Sequence, residues 1–166
     1  MKKMISIIIF SFLFSSSVEF NISTDRTDVF RGEYVKLLID INIDKGYFIY
    51  STDPEKSLSP TKIIWPDSTI FIDSSAVFEP IPKTKYDQNF EMDVGYHTDN
   101  VTLYQYFLTS THLSKDIDKI HGKLFYQVCD VKQCIRYYDD FSINLDIKEG
   151  PTRSKFSVIP ASNSYK

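Results

Sequence analysis

Cysteine, alanine and tryptophan are scarce in this chain, apolar runs after the first residues are short, and positive charge is not in excess. Each shortage excludes something. Two cysteines, Cys129 and Cys134, with three scattered histidines (His97, His112, His121), make no recognisable metal-ligand spacing, so no metal is expected. The histidines read as surface or strand residues. No local signature of Ser/His/Asp catalysis is present either. Alanine occurs only twice, against eleven Tyr and thirteen Phe, which favours strands over helices. Beyond Phe14 nothing approaches the ~20 consecutive apolar residues of a membrane helix.

The apolar run that does exist stands at the start. Met1-Lys2-Lys3-Met4 is basic, Ile5 to Phe14 is apolar, and Ser15-Ser16-Ser17 supplies small residues. That order is the pattern of a secretory signal peptide, expected over residues 1–17, and no cysteine follows it that would carry a lipid anchor. Those residues hold two lysines and no acid. The remaining 17 basic and 22 acidic residues leave a net charge of −5, which argues against nucleic acid as a partner. The mature protein is expected to be periplasmic or secreted, without a membrane span. In that oxidising setting two nearby cysteines can pair.

The 166 residues suffice for one domain, expected over residues 18–149. "EYVKLLIDINI" from Glu33 alternates, with Val35, Leu37, Ile39, Ile41 and Ile43 on one face and Lys36, Asp40 and Asn42 on the other, as in a half-buried strand. Asp44-Lys45-Gly46 reads as a turn and "YFIY" (47–50) as the strand returning from it. "TKIIW" (61–65) is a short strand limited by Pro60 and Pro66. Residues 73–100 read as long loops with short strands, including an acidic loop at 86–100. "VTLYQYFLT" (101–109) is a strand, "STHLSKDIDKI" (110–120) fits a short helix or a loop, and Gly122 opens the strand "KLFYQVC". "FSINLDI" (141–147) puts Phe141, Ile143, Leu145 and Ile147 on one face. Residues 150–166 turn polar and read as a flexible tail. Seven or eight strands without a repeat predict an all-β fold, an immunoglobulin-like antiparallel β-sandwich.

The cysteines sit in "FYQVCDVKQCIRYYDD" (125–140) and admit two readings. A structural disulfide is the usual use of a lone pair in an exported domain. Yet bridging so small a loop contributes only about 2 kcal/mol in the chain-entropy account. Alternatively, two thiols on one short turn can exchange with a partner, one sulfur forming the mixed disulfide and the other resolving it. Val128 and Val131 suit a buried flank, and Asp130, Lys132 and Gln133 an exposed turn. Lys132 or Arg136 would favour a thiolate and Asp130 would oppose it.

"FYQVCDVKQC" resembles the YQ-x-C…C signature of the amino-terminal periplasmic domain of the DsbD thiol:disulfide interchange reductase family and its free-standing relatives. "GYFIYS" (46–51) followed by "SPTKIIWPD" (59–67) resembles that family's Gly-aromatic-x-x-Tyr hairpin and the Pro-Thr strand after it. "YDQNFEMDVGYHTDNVTL" (86–103) resembles its cap-loop segment and the strand that follows. The likeness runs over about residues 19–148. It implies an immunoglobulin-like sandwich with Cys129 and Cys134 as the redox pair and no bound cofactor. Cys134 would bond to the partner, Phe90 would be the aromatic cap that shields the pair, and Tyr126 and Gln127 would support the strand. The implied partners are a thioredoxin-like electron donor and oxidised extracytoplasmic acceptor proteins. Two departures stand out. "IRYYDD" replaces the prolines that often follow the second cysteine, and no membrane or thioredoxin-like part follows the sandwich, so a separate donor is expected. The competing expectation is a non-catalytic binding or assembly module clamped by a structural disulfide.

Overall fold

The computed structural model describes residues 17–66, 70–88 and 90–160; the expected signal peptide lies almost wholly outside them. The alternation from Glu33 becomes β3 (Tyr34–Ile43), whose Val35, Leu37, Ile39, Ile41 and Ile43 are all buried. Burying one face of a pleated strand requires strands on both edges and a second layer. The edges are taken by β1 (Val18–Thr24) and β9 (Asn100–Thr109), and β6 (Phe71–Ser74) extends the sheet beyond β9. The second layer runs in the order β2 (Asp28–Phe30), β11 (Cys134–Lys148), β10 (Ile117–Cys129), β4 (Phe48–Tyr50), β8 (Met92–His97) and β7 (Lys83–Asp87), and the short β5 (Lys62–Ile64) also pairs with β10. Between the layers lie Leu37, Ile39, Ile49, Leu103, Phe107, Ile120, Leu124, Leu145 and Ile147. The fold is the expected all-β sandwich. One ladder departs from the antiparallel expectation: β2 lies parallel to the end of β11.

Three local expectations need correction. The turn at Asp44–Gly46 forms, with the Tyr47 N–H on the Asp44 carbonyl at 3.1 Å, but "YFIY" does not return beside β3. Both edges of β3 are occupied by β1 and β9, so β4 crosses to the other layer and pairs with β10 and β8. Residues 86–100 are not a long loop. They belong mostly to the β7–β8 hairpin, whose first strand lies at the sheet edge and so carries Lys83 and Lys85 rather than an apolar alternation. No helix forms at 110–120; β10 begins at Ile117 and buries Ile120.

Gly122 therefore lies inside a strand, not at its start, opposite Phe141. A Cβ there would fall 2.3 Å from the Phe141 ring. Gly122→Ala is expected to destabilise the domain by about 1–3 kcal/mol in urea unfolding, because the ring must leave its place against the core.

The expected loose tail carries a side chain that reaches back 120 residues. The backbone N–H, Nε and Nη2 of Arg153 donate to the Glu33 carboxylate at 2.9, 2.7 and 2.7 Å, and its guanidinium lies 4.9 Å from the Phe156 ring. A single 3-10 turn, Ser154–Phe156, follows, and residues 161–166 lie outside the described part. Among the described residues no helix is long and apolar enough to cross a membrane.

Candidate functional site

β10 and β11 are joined by the turn Asp130–Gln133. The Asp130 N–H donates to the Gln133 carbonyl at 2.9 Å, and the next pair outward from the turn, Cys129 and Cys134, lies directly opposite in register. In an antiparallel ladder the position beside a hydrogen-bonded pair is the one where facing side chains come closest. The two cysteines are joined there, with their Cα atoms 4.0 Å apart. None of the turn residues has a positive φ. The Asp130 carboxylate holds the turn instead, accepting the N–H groups of Lys132 and Gln133 at 2.6 and 2.8 Å, and those bonds keep its pKa below the usual carboxylate value. Val131, expected on a buried flank, is 96% exposed, because the apex of so tight a turn has no strand beside it to pack on.

The two sulfurs have different surroundings. Cys129 is fully buried, packed with Tyr50 and Val94 and against Phe48, Phe90 and Met92, while Cys134 is exposed. The difference follows from where β4 sits. Cys129 pairs with Phe48, so Ile49 enters the main core and Phe48 and Tyr50 face outward with the disulfide. The Tyr50 hydroxyl donates to Asp87 Oδ2 at 2.8 Å and lies 3.8 Å from Cys134 Sγ. Burial and then the hydrogen bond to Asp87 push the Tyr50 pKa upward, so the phenol keeps its proton. Lys85 lies 3.3 Å from the centre of the Phe48 ring, and burial lowers its pKa against the opposing pull of Asp87. A cleft of about 520 Å³ opens beside Cys134, lined among others by Phe48, Tyr50, Lys85, Phe90 and Gln127.

Phe90 stands at the tip of the β7–β8 hairpin, half-buried, its ring centre 5.5 Å from that of Tyr50. Neighbouring Glu91 has φ +54° and turns the chain into β8. Gln127 lies on the disulfide's side of β10, with Nε2 3.9 Å from Cys129 Sγ and Oε1 accepting from Arg136 Nε at 3.4 Å. Tyr126 points the other way, into the main core, stacked on Tyr137 and bonded to Asp139. Sequence reasoning named Phe90, Gln127 and both cysteines but missed Tyr50 and Asp87. Both lie within or beside quoted stretches, "GYFIYS" and "YDQNF", yet only the pairing of β4 with β10 and β8 brings them together. It also missed the pair of buried His97 and half-buried Glu79, joined at 2.8 Å. In that pair burial raises the Glu79 pKa, but the bonds from His97, Ser51 and the Thr52 N–H lower it further. Among the described residues no three His, Cys, Asp or Glu converge in a way that would hold a metal ion.

A β-sandwich with one disulfide, half sealed and half open, across the mouth of a hairpin defines a class of domain suited to sulfur exchange. The sequence over residues 19–146 matches the family described as thiol:disulfide interchange protein DsbD, N-terminal, and the chain belongs to that family. Among solved structures it is similar to the N-terminal periplasmic domain of ScsB from Proteus mirabilis, with TM-score 0.55 and 21% identity over 80% of this chain and 47% of that one. The chain therefore spans about half the length of the ScsB chain it matches, and the likeness speaks for the fold. It is also similar to the DsbD N-terminal domain of Neisseria meningitidis in the reduced form, with TM-score 0.46 and 15% identity over 69% and 79% of the two chains. No curated protein matches the sequence.

Proposed function

We propose that this domain is an extracytoplasmic thiol:disulfide interchange module that takes electrons from a thioredoxin-like donor and passes them to oxidised proteins through Cys129 and Cys134. The observation that carries the reading is the unequal burial of the two sulfurs. A partner's thiolate can approach Cys134 and cannot reach Cys129. Attack forms a bond from the partner's sulfur to Cys134 Sγ and breaks Cys134–Cys129, whose electron pair leaves on Cys129. A second thiolate of the partner then attacks its own sulfur in the mixed disulfide and releases Cys134, so two electrons have passed to this chain. In the opposite half of the cycle Cys134 attacks the acceptor's disulfide and Cys129 resolves the product.

The surroundings of Cys134 suit a reductant that must not discharge at random. The Asp87 carboxylate, bonded to Tyr50, and the Lys85 ammonium both line the cleft beside Cys134, so charges of both signs face a partner there. Phe90 on its hairpin tip acts as the cap, and a partner displaces it.

The test is the reduction potential of the pair, by equilibration in thiol buffers. A value within roughly −180 to −270 mV agrees with exchange, and one below about −300 mV makes the pair a structural staple and the domain a binding module. Phe90→Ala is expected to speed oxidation of the reduced pair severalfold. A loss of about 3–5 kcal/mol of stability at an unchanged rate would instead make Phe90 an ordinary packing residue.

A further inference from the structure

Exchange at Cys134 places the departing charge on the sulfur that is hardest to charge. Cys129 is fully buried among Tyr50, Val94, Phe48, Phe90 and Met92, an environment that disfavours a thiolate. The leaving-group sulfur sets the rate as much as the attacking one does, and a leaving thiol of lower pKa departs faster. A donor aimed at Cys129 would therefore matter more than any group near Cys134.

One side chain is aimed there. Gln127 stands two residues before Cys129 on β10, is 7% exposed, and holds Nε2 3.9 Å from Cys129 Sγ. Its amide has only one sensible orientation. Arg136, directly across the ladder, brings Nε to 3.4 Å from the other end of the amide, and a guanidinium can donate but not accept. The atom facing Arg136 must therefore be Oε1, which turns the NH₂ group to the sulfur. Of the other ionisable groups near the pair, Tyr50 is engaged on Asp87, Lys85 lies against Phe48 and the Asp130 carboxylate takes the turn N–H groups, while Lys132 stands exposed on the turn and lines the open cleft with Cys134.

We infer that Gln127 is a catalytic residue that stabilises the Cys129 thiolate as it leaves, and that Arg136 is a positioning residue that fixes the orientation of its amide. The inference rests on the exchange reading above. When the partner's sulfur bonds to Cys134, the Cys134–Cys129 electron pair collapses onto Cys129 Sγ. The Gln127 N–H contact then becomes a charge-assisted hydrogen bond, already in place and out of water. Arg136 places a positive charge behind the amide and strengthens the same dipole.

The experiment measures reduction of the mature domain's disulfide by dithiothreitol across pH, together with the thiol pKa of Cys129 in a Cys134→Ala background, read by thiolate absorbance. Gln127→Leu is expected to slow reduction about tenfold and raise the Cys129 pKa by about one unit. Arg136→Ala should reproduce part of both changes, and Arg136→Lys should restore them, since lysine also only donates. An unchanged rate, or a slower rate with an unchanged Cys129 pKa, overturns the inference, because a purely structural role would not move that pKa. If Gln127→Leu does not fold, the two variants at exposed Arg136 decide on the same criteria. A wild-type disulfide that dithiothreitol reduces sluggishly and that resists exchange buffers would defeat the exchange reading itself. A normal wild-type rate with indifferent variants defeats only the role of Gln127.

Discussion

Replacing Cys134 with Ala is expected to abolish disulfide exchange, whereas replacing Cys129 with Ala should leave a domain that forms a mixed disulfide and cannot resolve it. Both variants lose the same bond, whose short loop accounts for about 2 kcal/mol, and Cys129→Ala also removes a fully buried side chain. Compared where both remain folded, any difference in reactivity is not a difference in folding. It comes from exposure: Cys134 faces the cleft beside Tyr50 and Phe90, while Cys129 is sealed beneath them. Incubating each variant with a thioredoxin-like protein that keeps only its attacking cysteine, activated as a mixed disulfide with thionitrobenzoate so that the partner cannot resolve the product, and separating the products without reductant checks this. A covalent complex should accumulate with Cys129→Ala and not with Cys134→Ala. The reverse pattern would make Cys129 the attacked sulfur and would require the β7–β8 tip to open widely before any chemistry.

Replacing Glu33 with Ala is expected to cost about 3–5 kcal/mol, the range for leaving a buried ionic site without its counter-charge. Glu33 is fully buried and gathers the Phe30 N–H at 3.1 Å and three donors of Arg153. Burial pulls its pKa up, but the Arg153 side chain, the Arg153 N–H and the Phe30 N–H pull harder, and the value falls from 4.5 to about 2. A folded-state pKa below the unfolded one means that the stabilisation is fully present above about 4.5. It drains away as pH falls toward about 2. A depression of that size corresponds to about 3 kcal/mol. Urea unfolding of the wild type should show this loss between those pH values, and Glu33→Gln should flatten it while lowering stability at neutral pH. An unchanged pH profile in Glu33→Gln would show that Arg153 does not hold the chain end through this carboxylate.

Much of the fold was legible because alternation records burial. β3, β9 and the second half of β11 each present one apolar face, and each forms where that pattern stands. Alternation does not record neighbours. Nothing in "YFIY" distinguishes a hairpin return to β3 from a crossing to β10, and that crossing is what sets Tyr50 beside Cys134. The first half of β10 is hidden for a related reason: a register shift between Ile117 and Lys119 breaks the alternation, and only Ile120 and Gly122 of residues 117–122 are buried. The β7–β8 hairpin looks in sequence like loop with short strands, because edge strands exposed to water carry lysines and acids as loops do.

The same division runs through the site. Residue order alone placed two thiols on one turn, close enough to bond, inside a family motif covering most of the chain. Which sulfur is open, which amide faces the sealed one, and which carboxylate holds Arg153 all depend on residues far apart in the chain. Local sequence can specify a strand and a turn because neighbours along the backbone create them. Burial, a hydrogen bond across a ladder and the field around a sulfur arise only when distant strands pack.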